Sequence, residues 1–285
     1  ITTLVTGNNL FMTNENIDFT KSKQYTLSIR LSTDGFSFSV YNPIEECDFY
    51  FQTYPVNTQQ SMAANVKAFL ALAKELKYTY RQINILIHTA RYTSVPLELF
   101  EDEQMETIFY QNFRKQSNEI ILCNVLGKSN LVILFPIDKL THLFLSEQFP
   151  IARFFSTISP QIEYLTSRSK LGNSYKIYAN IHACSMDVFA LDKGKLQLVN
   201  TYAINDVSDS MYYLLNIWKQ LAYDQEHDEM HLTGDNINYR QQLSEELKPF
   251  IRQLFIINPQ ADFNTSHTAR IEDIPFDIQS LLICE

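Results

Sequence analysis

From Tyr178 to Thr201 the chain admits one local reading: three strands joined by two tight turns. The runs Tyr178 to Ile181 and Ser185 to Leu191 carry apolar, β-branched and aromatic residues on either side of a short break, and Asp192-Lys193-Gly194 separates the second run from Lys195 to Thr201. A short turn ending in glycine folds its flanking strands together as a hairpin. Such a meander cannot stand alone, because a few short strands need another hydrophobic layer to bury one face. The rest of the chain must supply that layer.

The 285 residues are enough for one or two domains, and 45% of them are hydrophobic, which supports a core of ordinary size. A formal charge of −9 and the lack of any basic run interleaved with aromatics argue against a nucleic-acid-binding surface. No positive segment leads into an apolar stretch at the start, and no apolar run approaches the roughly 20 residues of a membrane span. Cys47, Cys123, Cys184 and Cys284 have neither zinc-knuckle nor redox-pair spacing and fit a reducing compartment. A cytoplasmic protein is expected. Only six glycines occur, few for a site that must bring backbone N–H groups against phosphate.

Along the chain, residues 1–24 read as an arm or edge segment. Tyr25 to Ser32 and Phe36 to Tyr41 form a hairpin around Thr33-Asp34-Gly35, and Asp48 to Tyr54 is a third strand. Met62, Val66, Phe69, Leu70, Ala73 and Leu76 share one helical face. Gln82 to His88 is a buried strand, and Glu101 to Arg114 is helical, its acidic start suiting the helix dipole. Glu119 to Leu126 and Asn130 to Phe135 form another hairpin. Lys139 to Glu147 is a short helix with Leu140, Leu143 and Phe144 inward. A strand at Ile151 to Phe155 and a helix at Ser159 to Arg168 lead to a polar boundary near Gly172.

The second part repeats the first. Three strands (Tyr175–His182, Ser185–Leu191, Lys195–Ala203) precede a helix from Val207 to Ala222, capped by Asp206, with Val207, Met211, Leu214, Leu215, Trp218 and Leu221 on its apolar face. A strand ending at Thr233, a helix from Asn238 to Leu247, a strand from Leu254 to Ile257 and an amphipathic piece from Ile274 to Ile283 that docks on the sheet complete it. The fold class is α/β, in two similar halves. The expected domains are 1–170, with an inserted α/β subdomain at about 93–150, and 171–285.

This duplicated arrangement resembles the actin-like ATPase (ribonuclease H-like) fold of the actin, hexokinase and heat-shock-protein-70 superfamily, above all its bacterial pilus-assembly and cell-division branch. The sequence is also similar to an uncharacterised family, known mainly from Bacteroidetes, that has this fold and no assigned activity. In active relatives the second hairpin reads Asp-Ile-Gly, small residues, then Ser/Thr-Thr-Asp. Here Asn180-Ile181-His182, Ala183-Cys184 and Ser185-Met186-Asp187 align with it. The acid and the glycines are replaced, whereas Ser185 and Asp187 match. In the first hairpin Ser28 and Arg30 stand where the acid and glycine would be. The adenosine motif Leu-Thr-Gly-Gly-Gly becomes Leu232-Thr233-Gly234-Asp235-Asn236, and Asp235 would repel phosphate. The resemblance thus implies a remnant ATP-and-Mg site at Ser185, Asp187, Thr233 and Gly234, with hydrolysis lost and no catalytic residue assigned.

Other patterns carry less. His227 and His231 are four apart, but on a strand that spacing is about 13 Å, too far for one ion. Gly127-Lys128-Ser129 sits in a hairpin turn rather than a strand-to-helix phosphate loop. His182 and Cys184, two apart on a strand, share a face and read as packing residues. Glu45-Glu46 and Glu101-Asp102-Glu103 read as solvated charges. No metal site is assigned.

The expected function is a non-catalytic scaffold that binds another protein, without nucleic acid or membrane span. Phe109, Tyr110 and Phe113 of the insertion are candidate contact residues. A nucleotide-binding switch without hydrolysis is the alternative. An active kinase ranks lowest, because phosphoryl transfer needs metal-positioning acids and glycine-rich loops.

Overall fold

The structure, a computed structural model, describes residues 12–14, 17–43, 49–234, 236–257 and 274–284. Glu45, Glu46, Cys47 and Asp235 lie outside these residues.

The first sheet is built on a meander of β2 (Thr26–Leu31), β3 (Phe36–Tyr41) and β4 (Phe49–Tyr54), with a short edge strand β1 (Met12–Asn14) beyond β4. On the other side β5 (Gln82–Ile87) runs parallel to β2, and a further strand at Ala152–Ser156 runs parallel to β5. Helix α1 (Met62–Leu72) covers one face. The Ser61 hydroxyl accepts from the Ala64 N–H at 3.3 Å and caps it, and Val66, Phe69, Ala73 and Leu76 are buried as the periodicity predicts.

The insertion has its own sheet of β6 (Thr93–Pro96), β7 (Glu119–Leu126) and β8 (Leu131–Asp138), with α2 (Met105–Asn112) packed on it. Val95, Phe109, Ile121, Val132 and Leu134 form its separate core. The helix expected over 101–114 is shorter, since Asp102–Gln104 forms a 3-10 turn first. Phe109 is wholly buried, so it is a core residue and not a contact residue; Tyr110 and Phe113 are half-buried.

Helix α3 (Lys139–Gln148) departs from its predicted face. Leu140 and Leu143 are exposed, while Thr141 and Leu145 point inward and Phe144 is half-buried. The reason is the cap: the Asp138 carboxylate accepts from both the N–H and the hydroxyl of Thr141 at 2.8 Å. That fixes where the helix starts and so which side chains turn inward.

After β9 (Ala152–Ser156) comes α4 (Ile158–Ser169), then the second sheet: β10 (Tyr175–Ile181), β11 (Ser185–Asp192) and β12 (Lys195–Ala203) as a meander, with β13 (Glu229–Gly234) and β14 (Gln253–Ile256) running parallel to β10. Lys193 and Gly194 turn from β11 to β12 with φ of 47° and 87°, as a type I′ hairpin requires. Helices α5 (Val207–Gln220), capped by Asp206, and α6 (Ile237–Leu247), capped by Asn236, pack against it. Strand order β12-β11-β10-β13-β14 repeats β4-β3-β2-β5-β9, so the duplication read from the sequence is present in the topology.

Two helices tie the sheets together. Helix α4 packs with first-sheet residues and with Tyr178, Phe189 and Leu191 of the second sheet in one core cluster. Helix α7 (Phe276–Cys284) lies on α4, and its Ile278, with Ile274 just before it, meets Phe49 and Phe51 of β4. The end of the described chain thus returns to the first sheet.

Gly234 shows how tightly β13 and β10 are joined. Its φ is 134°, and a Cβ there would lie 2.2 Å from the Ile181 carbonyl oxygen. Only glycine tolerates both the conformation and the contact. Gly234→Ala is expected to lower stability by about 2–4 kcal/mol. Gly127→Ala, where a Cβ meets nothing within 4 Å, should change it by less than about 1 kcal/mol. Urea denaturation of the two variants checks this.

Candidate functional site

The candidate site lies at the carboxyl ends of the parallel strands, where open α/β sheets usually place ligands. The register puts Asn180 opposite both Asp187 and Thr233, and Asp187 opposite Thr201. Residues directly opposite across a ladder share a face, so Thr201, Asp187, Asn180 and Thr233 form a polar row across four strands. Asn180 donates from Nδ2 to Gln161 Oε1 of α4 at 2.9 Å.

Asp187 is fully buried. Its Oδ2 lies 2.8 Å from His182 Nε2, and its Oδ1 accepts from the Thr201 hydroxyl at 2.6 Å. The hydroxyls of Thr201 and Tyr92 are 3.1 Å apart. Burial alone would raise the Asp187 carboxyl, but the charge and hydrogen bond of His182 outweigh it and hold the group at about 2. Burial works against the charged form of His182, yet Asp187 reverses that effect and raises its pKa above the ordinary histidine value. His182 belongs to the turn closing β10 onto β11, through its N–H bonded to the Ser185 carbonyl at 2.8 Å. Cys184 is in the same turn and exposed, so the turn, unlike a regular strand, separates it from buried His182.

From the first sheet comes His88, one residue past the end of β5. Its Nδ1 is 3.2 Å from the Thr157 hydroxyl and its Nε2 is 3.4 Å from the Ser185 hydroxyl. Its ring centre lies 4.6 Å from that of His182. Burial pushes the His88 pKa down to about 4, so the ring is neutral at physiological pH. One ligating atom each of His88, His182 and Asp187 lies within 4.8 Å of the others.

Arg30 is the remaining charge. Its Nε donates to Asp277 Oδ2 of α7 at 2.7 Å, and both side chains are nearly or wholly buried. The hairpin ends fix its counterpart in the second half. Leu31 pairs with Phe36 as Ile181 pairs with Met186. Arg30 is therefore equivalent to Asn180, and Ser32 to His182. The alignment inferred from sequence, with Ser28 and Arg30 as acid and glycine, is two residues out of step. A cation stands at the position equivalent to Asn180, to which the resemblance assigned an acid.

Of the residues assigned to the remnant nucleotide site, Ser185 faces His88, Asp187 is engaged by His182 and Thr201, Thr233 is buried in the polar row, and Gly234 lies against Ile181. Ser185 and Asp187 lie on β11, Thr233 and Gly234 on β13, with β10 between them. Near them, an open groove of about 480 Å³ is lined by Ile181, His182, Ala183, Asn236 and Tyr239. Sequence reasoning missed His88, Thr157, Thr201 and Asp277. Two signals were available: a histidine ending an apolar run, and a lone acid in the apolar piece Phe276-Asp277-Ile278. His231 bonds Glu229 at 2.8 Å and stacks between Tyr178 and Phe255, whereas His227 is exposed and bonded to Asp224, so these two histidines stay apart. Ser129, in the β7–β8 turn, donates to Thr166 of α4 at 3.0 Å.

The profile of a family described as protein of unknown function, DUF3822, matches residues 14–254. The chain belongs to the DUF3822 family. A crystal structure from Bacteroides thetaiotaomicron, of a protein with an actin-like ATPase fold and unknown function, is 47% identical to this DUF3822 chain. The match covers 95% of this chain and 100% of that one, with a TM-score of 0.84. The fold is thus the actin-like ATPase fold that the motifs implied. The type IV pilus biogenesis complex PilM–PilN is similar at 12% identity, with 90% and 96% of the two chains covered and a TM-score of 0.55, a likeness of fold. No curated protein matches the chain.

Two predictions follow from the buried charges. Arg30→Met should cost about 3–5 kcal/mol, because it leaves Asp277 buried and unpaired, and adding Asp277→Leu should recover most of the loss. A double-mutant cycle in urea measures this coupling. The second concerns pH. Unfolded His88 binds a proton near 6.5 and folded His88 only near 4, so the unfolded state binds more protons between those values and stability falls as pH drops through them. The part supplied by Asp187 is lost further down, from about 3.8 toward 2. The raised pKa of His182 acts the other way, and its contribution is lost as pH rises above the ordinary histidine range. In chelator-containing buffer, His88→Gln should flatten the dependence of Tm on pH between about 6.5 and 4.

Proposed function

We propose that this DUF3822 protein is a non-catalytic actin-like scaffold that acts by binding another protein. The observation that carries this reading is the burial of the charged groups at the ends of the strands. Arg30, Asp187, Asp277 and His182 are each less than a tenth exposed and are paired with one another. A phosphoryl-transfer site instead needs acids free to hold a metal and backbone open to phosphate. Here the corresponding positions carry Arg30, Asn180 and His182, and Gly234 is occupied by its contact with Ile181.

The same reading divides the chain into domains 1–170 and 171–285, with the subdomain at about 93–150 presented to the partner and α7 crossing back. It places the protein in the cytoplasm of a bacterial cell. No helix among the described residues is long and apolar enough to cross a membrane. The similar PilM structure is of a complex with PilN, which supports protein binding as a use of this fold. On the insertion, Leu99 and Val125 are exposed apolar side chains, as a partner surface would need.

The second reading, a nucleotide switch using Ser185, Asp187, Thr233 and Gly234 with Mg-ATP, is favoured by the groove beside the start of α6. Calorimetry with millimolar Mg-ATP, joined to a thermal shift, separates the two. The scaffold reading expects no heat and no shift. A switch expects stabilisation of about 2.7 kcal/mol at 100 times the dissociation constant, and that result would displace the scaffold reading.

A further inference from the structure

Two imidazoles and a carboxylate, from three separate elements, converge where the two sheets meet. His88 follows β5, His182 follows β10 and Asp187 is on β11, and one ligating atom of each lies within 4.8 Å of the other two. We propose that His88, His182 and Asp187 form a zinc site that clamps the two halves of the molecule together, with a water or the neighbouring Ser185 hydroxyl in the fourth position. The proposal goes beyond the scaffold reading: the ion would take the place of the His182–Asp187 hydrogen bond, while Arg30 stays paired with Asp277 and no phosphate-binding backbone is opened.

The donor set decides the ion. Imidazole with one carboxylate suits Zn²⁺, whereas Mg²⁺ prefers oxygen ligands throughout. Bonds of about 2.0–2.1 Å in a tetrahedral site put donor atoms on the order of 3.4 Å apart. His182 Nε2 and Asp187 Oδ2, at 2.8 Å, would open slightly around the ion, and His88, within 4.8 Å of them, would close by up to about 1.4 Å. On binding, any proton on the ligating nitrogens leaves to solvent.

The surrounding groups match what ligands of this kind have around them. Metal-bound side chains are usually held by hydrogen bonds at their other polar atoms. Thr201 donates to Asp187 Oδ1 at 2.6 Å, leaving Oδ2 to face His182. The Thr157 hydroxyl sits 3.2 Å from His88 Nδ1, which leaves Nε2 directed at the Ser185 hydroxyl, 3.4 Å away. Arg30 is close enough to act on both rings, and its charge is offset by Asp277 at 2.7 Å. The ion would meet a neutral pair there rather than a free guanidinium. Zinc would also join parts that share no covalent neighbour, since His88 and Ser185 are 97 residues apart.

The test uses the full chain after chelation and dialysis. Zn²⁺ titrated by calorimetry is expected to bind one ion per chain and to raise Tm, while Mg²⁺ does neither. His88→Gln, at the half-buried ligand, should weaken zinc binding by at least about 10–100-fold, whereas exposed His227→Gln should leave it unchanged. Co²⁺ in the wild-type chain supplies a readout that needs no variant: the intense visible bands of a four-coordinate site are expected. An absence of one-to-one zinc uptake, uptake unaffected by His88→Gln, or only the weak absorption of hexa-aqua-like cobalt would each overturn the proposal and leave a hydrogen-bonded histidine–aspartate pair.

Discussion

Helix α4 has almost no surface of its own, and the remaining architecture is arranged around that fact. Eight of its twelve residues are buried, and four of those eight are polar. A helix in that position must find a partner for each polar side chain, since an unpaired one costs about 1–3 kcal/mol. The partners come from every side. Ser159 donates to Asn124 of the insertion, Gln161 accepts from Asn180 of the second sheet, Thr166 accepts from Ser129, and Ser169 accepts from the Gly194 N–H in the β11–β12 turn. Two of these bonds reach the insertion and two the second sheet, so the helix sets the separation of those two sheets by hydrogen bonding as well as by volume.

That fixed separation gives the strand ends their character. In a solvated cleft Asp187 would be a hydrated carboxylate and His88 an ordinary imidazole. Packed against one another and against the start of α4, the same groups have little water to solvate charge and are held by one another instead. A buried Arg30 in the first half is tolerable only because α7 brings Asp277 to it, and Asp277 buried at that place is tolerable only with Arg30 present. The duplication is thus symmetric in backbone and asymmetric in charge: one half presents a compensated cation and the other an anion paired with histidine. A chain with the actin-like ATPase fold thus carries buried, paired charges at the ends of its strands.

The periodic parts of this structure were legible in the sequence. Helices α1 and α5 carry continuous apolar faces with capping residues, and the meanders carry alternating strands between recognisable turns, so local chemistry and global fold agree there. The site was only half legible. His182 and Asp187 stand inside a motif and draw notice for that reason. His88, Thr157, Thr201 and Asp277 stand in no motif, and their roles arise from the stacking of two sheets through α4 and α7, which no window of sequence contains. Helix α3 shows the smaller failure of the same kind. Its leucines suggest one face, but the Asp138 cap sets another. The two-residue slip at Arg30 came from matching residue types where the register of β2 against β3 was the real constraint.

The bond between Arg30 and Asp277 spans 247 positions of the chain. During synthesis, β2 to β5 emerge early and can pair, and their core can collapse while Arg30 remains without its partner. The ion pair itself can form only once residue 277 has been made, so the charge of Asp277 reaches Arg30 after β2 to β5 have been synthesised. Closing so long a loop costs little more entropy than closing one half its length, but it imposes an order of events. Helix α7 therefore reaches the first sheet later than the strands it covers and brings its own counter-charge, at a delay set by synthesis at about 5–20 residues per second.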